Sequence, residues 1–376
     1  MNAAGNEEFV MPFGTQLWYR FKRICEQYWR TPCIYSKTAL CVFTARRFEC
    51  LVHKLLTRLD LGLFTGSSFY KADNTLQGLQ NQMFSVFMLL TMFGNITQQI
   101  MPLFVEQRSL YEARERPSKA YSWQAFLGAQ ILVEMPWQTL MAALAFFTWY
   151  YPIGFYRNAI PTGAVTERGG LMFLLVWAFY LYSSTFAHMM VAAVASADIG
   201  SQYGNLLFTF ALIFCGWVSI SVRRTSICLR FVVVASVLAT PAVLPRFWIF
   251  MYRVSPFNYL VSAMLSTGIA NTKVTCSSIE LAVFNPPSGQ TCGEYMSNYI
   301  SANGGAVYNP NATSACEFCS VTNTDTFLKS LFINYSDRWR NFGLMWVYIV
   351  TNIVGCIFLY WLVRVPKKSN KKQKDE

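Results

Sequence analysis

Long apolar runs that carry almost no charge constrain this chain more than any other feature of its sequence. Leu171–Phe186 and Phe342–Val363 are too long for strands, and an apolar run of about 20 residues is what crosses a bilayer as a helix. The chain holds five or six such runs. Only 13% of its residues are charged, where an ordinary soluble domain has about 25%. Together these exclude a soluble enzyme, a secreted disulfide miniprotein, a disordered chain and a nucleic-acid-binding domain. The net charge of +12 does not restore the last class, because the basic residues sit at the ends of the apolar runs. Cytoplasmic flanks of membrane proteins carry charge in that way. The polar, acidic start (Asn6, Glu7, Glu8) reads as no cleavable signal peptide.

The runs predict an all-α polytopic membrane protein. The expected spans are an interrupted first one near 34–44 and 62–70, then 79–104, 123–151, 170–195, 203–216 and 342–363. Basic clusters precede the first span (Arg20, Lys22, Arg23, Arg30), separate the second from the third (Arg108, Arg114, Arg116, Lys119), and follow the sixth (Arg364, Lys367, Lys368). The positive-inside rule sets all three in the cytosol, with six spans and both termini cytoplasmic. Before the spans, residues 13–30 set Leu17, Phe21, Ile24 and Tyr28 at helical spacing, with Arg20, Lys22 and Arg23 to the side. This predicts an amphipathic helix on the cytoplasmic membrane surface. The expected organisation is an N-terminal segment and this helix over 1–31, spans one to five over 32–270, a loop domain facing outward over 271–338, span six over 339–364 and a basic tail over 365–376.

The outward loop accounts for four cysteines, Cys276, Cys292, Cys316 and Cys319. An even set in an oxidising compartment predicts two disulfides. Four cysteines allow three pairings, and the closeness of Cys316 to Cys319 favours a distant partner for each. Asn311 opens a glycosylation sequon in the same loop. Asn334 opens another beside span six, and the match at Asn95 falls inside span two.

No HExxH, GxSxG or HxE…CxxC pattern occurs, nor the Gly-rich loop that binds ATP, and Cys316–Cys319, a CxxC, lacks the second CxxC and the nearby His that a redox or zinc reading would want. The informative polar residues lie inside the spans. Thr91, Asn95 and Gln98 recur every three to four residues, with Phe87 a turn earlier. Asn205 and Thr209 repeat the spacing in the fifth span beside Phe208 and Phe214. Polar groups at membrane depth face a wet cavity or bond neighbouring helices, and both readings stand. Aromatic, weakly polar walls suit hydrophobic ligands. Glu134, before Pro136, is an intramembrane carboxylate: a functional candidate by default, or a structural partner of an arginine, which is preferred. Residues 105–119 are dense in both charge signs, with Arg108, Glu112 and Arg116 at spacings of four. They predict a short cytoplasmic helix with i, i+4 pairs that ends at Pro117.

These residues carry a family resemblance. Gln27–Pro32, Tyr70–Gln82, Leu110–Ser118, Val133–Trp137, Leu244–Pro256, Pro286–Gly293 and Trp361–Lys368 resemble the C-terminal membrane half of fungal pleiotropic drug resistance transporters, full-length members of the G subfamily of ABC transporters. The resemblance covers nearly the whole chain. It implies the permease half of an efflux pump for hydrophobic drugs, xenobiotics or lipids, working by alternating access in the plasma membrane. Its partners would be membrane lipid, the second membrane half and nucleotide-binding domains, normally on the same polypeptide. The chain itself would bind no cofactor and catalyse no hydrolysis, since ATP and Mg would sit on those domains. The resemblance further implies a connecting helix at 13–30, a coupling helix at 106–116 that meets the ATPase through Tyr111, Glu112, Arg114, Glu115 and Arg116, a drug cavity lined by spans two and five, and short re-entrant helices at 246–266. Two segments depart from the pattern. Ala45–Leu61 breaks the first span with seven charged or titratable residues, and Trp217–Ser236 carries Arg223, Arg224 and Arg230 to the outer side. Each charge at the bilayer centre costs roughly 2.5–3.5 kcal/mol, so the first segment cannot lie in lipid. Both read as translated introns of 17 and 20 codons. The alternative to a working permease is therefore a misannotated gene fragment.

Overall fold

The computed structural model describes residues 9, 11–30, 62–213 and 246–365. The segments 45–61 and 217–236, the first half of the first span and Phe214 lie outside the described residues. Helix α1 (Phe13–Arg30) is followed by a helical stretch over 62–68. The helices α2 (Leu76–Leu90), α3 (Met92–Leu110), α4 (Trp123–Ile153), α5 (Val165–Ala193) and α6 (Ala197–Ile213) come next. After them come α7 (Arg246–Val254), α8 (Pro256–Ile269), a small loop domain and α11 (Arg338–Arg364). Among the described residues, four helices are long and apolar enough to cross a membrane: Leu76–Glu115, Trp123–Ile153, Val165–Ala193 and Tyr335–Arg364.

Local chemistry sets the helix ends. The Thr75 hydroxyl accepts from Gly78 N at 3.0 Å and starts α2, and Ser122 does the same for Ala125 N at the start of α4. Gly154, at φ +91°, ends α4 in the left-handed conformation that glycine adopts without steric penalty. Thr91 separates α2 from α3, and its hydroxyl turns back to Met88 O at 2.7 Å. A single 40-residue helical column therefore runs from Leu76 to Glu115, broken only there. Its last turn, Tyr111–Glu115, is a π-helix that continues α3 rather than a detached helix. In the region expected to re-enter, Ser255 divides α7 from α8.

Helix α5 is the centre of the bundle. Of its most apolar stretch 78% is buried, against 22% for α11, so α11 keeps a broad face free. Helices α3, α4, α8 and α11 all pack on α5. Helix α1 lies along α4, where Ile24 meets Ala129 and Val133 beside Leu17, Phe21 and Tyr28. The face expected to lie on the membrane surface is thus the one that packs on α4, and the other face exposes Phe13, Trp18 and Tyr19. Arg20 belongs to the buried face, at 3% exposure.

At the end of α5 away from Tyr111–Glu115, Arg168 is buried and donates to Thr267 O (2.7 Å) and Asn158 O (3.1 Å). Asn158 donates in turn to Gln82 Oε1 and Gly268 O, both at 3.1 Å. One polar knot thus joins α2, α5, α8 and the turn after α4, and it satisfies carbonyls that lipid could not.

The loop domain holds β1 (Ala282–Phe284), α9 (Cys292–Asn303), β2 (Ala306–Val307), β3 (Cys316–Cys319) and α10 (Thr324–Ser330). Its strands form an antiparallel sheet in the order β1-β3-β2. Disulfides join Cys276 to Cys319 and Cys292 to Cys316, with Cα separations of 5.9 and 5.5 Å. Cys316 and Cys319 stand three apart on the central strand, and an odd spacing puts them on opposite faces of a strand. Each therefore reaches a different segment. The domain is fastened to the column by Glu280, whose carboxylate accepts from Gln77 N (2.7 Å), Leu76 N (3.3 Å) and Ser277 N (3.0 Å).

Candidate functional site

Two regions of the column carry the residues singled out in the sequence. The first is a polar stripe midway along it. Thr91, Asn95 and Gln98 are exposed along one face of the column, and Phe87 above them is half-buried. Helix α6 crosses α3 here in antiparallel register. Phe93 stacks on Phe208 with ring centroids 4.5 Å apart. A Cβ on Gly94 would stand 3.6 Å from Asn205 Oδ1, and Met101 Sδ lies 3.2 Å from the corresponding position on Gly200. Small residues at the crossing let the two backbones approach. The stripe of α3 therefore continues into Asn205, which is half-buried, and Thr209, which is exposed.

The hydroxyls of Thr91 and Thr209 are spent on their own helices, at Met88 O and Asn205 O. The side chains of Asn95 and Gln98 make no protein hydrogen bond among the described residues. Behind the wall, Phe93, Phe186, Tyr182, Phe208 and Phe257 form one aromatic cluster from four helices. The wall offers two free amides on an aromatic backing, which suits apolar molecules with a few polar groups.

The second region is the end of the column around Tyr111–Arg116, where the predicted residues divide. Tyr111 is buried, stacks on Phe126 at 4.9 Å and donates to Tyr121 O. Glu115 accepts from Arg23 and from the Tyr121 hydroxyl, and Arg20 stands 3.8 Å from it. Arg114 is exposed. Glu112 turns to α11, with Arg364 at 3.8 Å and the Tyr360 hydroxyl at 3.5 Å. Arg116 donates to Arg364 O at 2.7 Å.

Arg20 also donates to Gln107 Oε1 at 2.8 Å and lies 5.5 Å from the ring centres of Tyr121 and Phe126. Burial lowers the Arg20 pKa from its ordinary value, and Tyr121 and Glu115 partly offset this. Burial pushes the Tyr121 hydroxyl up, against the pull of Arg20 and with the help of its bond to Glu115.

Glu134 is 3% exposed on α4. It accepts from the Tyr28 hydroxyl of α1 and from Gln138 Nε2 at 2.9 Å, and no arginine pairs with it among the described residues. Asn311 and Thr313 are exposed in the turn between β2 and β3.

Sequence reasoning missed Arg108. Its spacing to Glu112 suggested a helical ion pair, but the guanidinium turns instead to the end of α5. There it donates to the carbonyls of Val191, Val194 and Ala195 at 2.6, 2.9 and 2.7 Å. Arg168 was missed for the same reason. Backbone carbonyls leave no mark in a sequence. The available signal was an arginine at the edge of an apolar run.

The profile of the ABC-2 type transporter family matches residues 15–224. The chain is 56% identical over 367 residues to ABC multidrug transporter C of Aspergillus fumigatus, covering 97% of this chain and 22% of that protein. It is 53% identical to ABC multidrug transporter atrG of Aspergillus oryzae and 52% identical to ABC multidrug transporter AFR2 of Cryptococcus neoformans var. grubii, with the same shares covered. The chain thus spans about a fifth of the length of these relatives. It is a polytopic membrane protein and belongs to the ABC-2 type transporter family.

Proposed function

We propose that the chain is the permease half of an ATP-driven efflux transporter of the pleiotropic drug resistance type, and that it exports hydrophobic compounds across the plasma membrane by alternating access. The observation that carries this reading is that one helical column bears both the exposed amide stripe (Thr91, Asn95, Gln98) and the charged turn Tyr111–Glu115. A displacement applied at the turn therefore reaches the stripe through continuous helix. The names of the three relatives above, each an ABC multidrug transporter, support the substrate class. ATP and Mg belong to nucleotide-binding domains outside this chain, which would press on 106–116 with Arg114 outermost. A second membrane half would close the other side of the cavity. Asn311 is proposed as a glycan acceptor on the outward domain.

The test is energy-dependent efflux of two fluorescent hydrophobic dyes from cells carrying the complete transporter. The Asn95→Leu variant should change the ratio of the two efflux rates several-fold at equal surface amount. Absence of ATP-dependent efflux for a panel of hydrophobic probes, with the protein at the surface, overturns the reading.

A further inference from the structure

We infer that Arg108 is a positioning residue that locks the inner end of α5 to the coupling turn, so that α3, α5 and α11 move there as one block. The argument begins with the end of α5. A helix leaves its last four carbonyls without partners, and here neither glycine nor proline follows. Val194 simply leaves the helix in extended conformation. Arg108, on the last turn of α3 and 3% exposed, occupies that end with a fork of three hydrogen bonds to Val191, Val194 and Ala195. A planar guanidinium can hold several acceptors in fixed geometry, whereas an ammonium acts as a point charge.

Among the described residues no carboxylate lies within ion-pair distance of Arg108. Its whole bonding is directed at α5. A second arginine reinforces the joint. Arg364 Nη2 donates to Val194 O at 3.0 Å, so both guanidinia share one carbonyl. Arg364 is held in turn by Glu112 and, through its own carbonyl, by Arg116. The coupling turn therefore grips two spans by their carbonyl ends: α5 through Arg108 and α11 through Arg116. The favourable alignment of cations with helix C-termini adds to both.

This inference rests on the transport reading, and the experiment keeps the two apart. In the complete transporter, ATP turnover and dye efflux are measured side by side for wild type, Arg108→Gln and Arg108→Lys. The lysine variant keeps the charge and loses the fork. It also serves if the glutamine variant fails to accumulate. The expected result is that ATP turnover stays within about twofold while efflux per ATP falls at least fivefold in both variants. Unchanged efflux per ATP overturns the inference.

Should wild type show no efflux, the transport reading fails, and the joint is judged by distance alone. Nitroxide labels at Ser109 and at Ala195, just past the end of α5, both exposed, would be placed in a background without the cysteines outside the two disulfides. The label-to-label distribution should broaden at least twofold when Arg108 is replaced. An unchanged distribution overturns the joint.

Discussion

Carboxylates in this molecule are stationed where donors converge. Burial raises the pKa of Glu280, but the backbone N–H groups of Gln77, Ser277 and Leu76 outweigh it and hold the carboxyl below its ordinary value. A depressed carboxyl contributes stability that is present above the unfolded pKa and is lost as pH falls through the folded one. The fastening of the loop domain to α2 should thus be fully present above about pH 4.3, the ordinary value for glutamate, and be lost as pH falls further through the depressed folded-state value. Glu280→Gln should cost about 0.3–1 kcal/mol at pH 7, the usual worth of a carboxylate at a helix N-terminus. That difference should shrink as pH is lowered below about 4.3 in thermal melts of the detergent-solubilised protein. Glu134 makes a different test. Glu134→Ala removes two hydrogen bonds at a buried carboxylate, from the Tyr28 hydroxyl and the Gln138 amide, each worth about 0.5–1.5 kcal/mol. Glu134→Gln retains an oxygen for Tyr28 and should lose less. Protease cleavage within α1, compared across the two variants, reads the order directly.

Helices meet where side chains are small. Gly200 and Gly204 both face Met101 at the crossing of α3 and α6. Gly200→Leu would overpack that crossing at a cost of about 1–3 kcal/mol, visible as a lower melting temperature. The larger expected effect is separation of the two polar stripes. In the loop domain, the bond between Cys292 and Cys316 closes 24 residues. Replacing both by serine should cost about 3 kcal/mol in the chain-entropy account of loop closure and expose α9 to protease first. The elements also mark how far sequence alone reaches. The runs behind α4, α5 and α11 are legible, because charge-free stretches of that length have no other stable use. The stripe Thr91–Asn95–Gln98 is legible as one face because its spacing is helical. The break at Thr91 is not, since the prolines and glycines that usually announce one lie elsewhere: α3 runs through Pro102 without stopping. Nor is the disulfide pairing, which the strand order imposes.

At the scale of the molecule, both ends of the bundle carry buried arginines. Arg20, Arg108, Arg116 and Arg364 gather at one end around Glu112 and Glu115. At the other end Arg168 is buried in carbonyls, and Arg338 pairs with Glu167 at 3.0 Å. Breaking the far knot with Arg168→Met should weaken the whole bundle rather than one helix, because four elements share it. A reduced amount of protein reaching the cell surface, with residual dye selectivity unaltered, is the expected phenotype. Gathering cations at one end was legible from the three basic clusters. Which of them would be exposed and which buried was not, because Arg20 and Arg108 are buried by partners remote in sequence.

The column from Leu76 to Glu115 has a mechanical consequence. Its 40 residues, at 1.5 Å each, span about 60 Å, roughly twice the hydrocarbon thickness of a bilayer. The arm below Thr91 is about 36 Å long by the same rise per residue. Pivoting by 5° about that break carries the charged turn sideways by about 3 Å, while Asn95, one turn from the pivot, moves by about 0.5 Å. A fulcrum so close to the stripe trades a wide swing at the charged turn for a short, forceful shift beside Asn95.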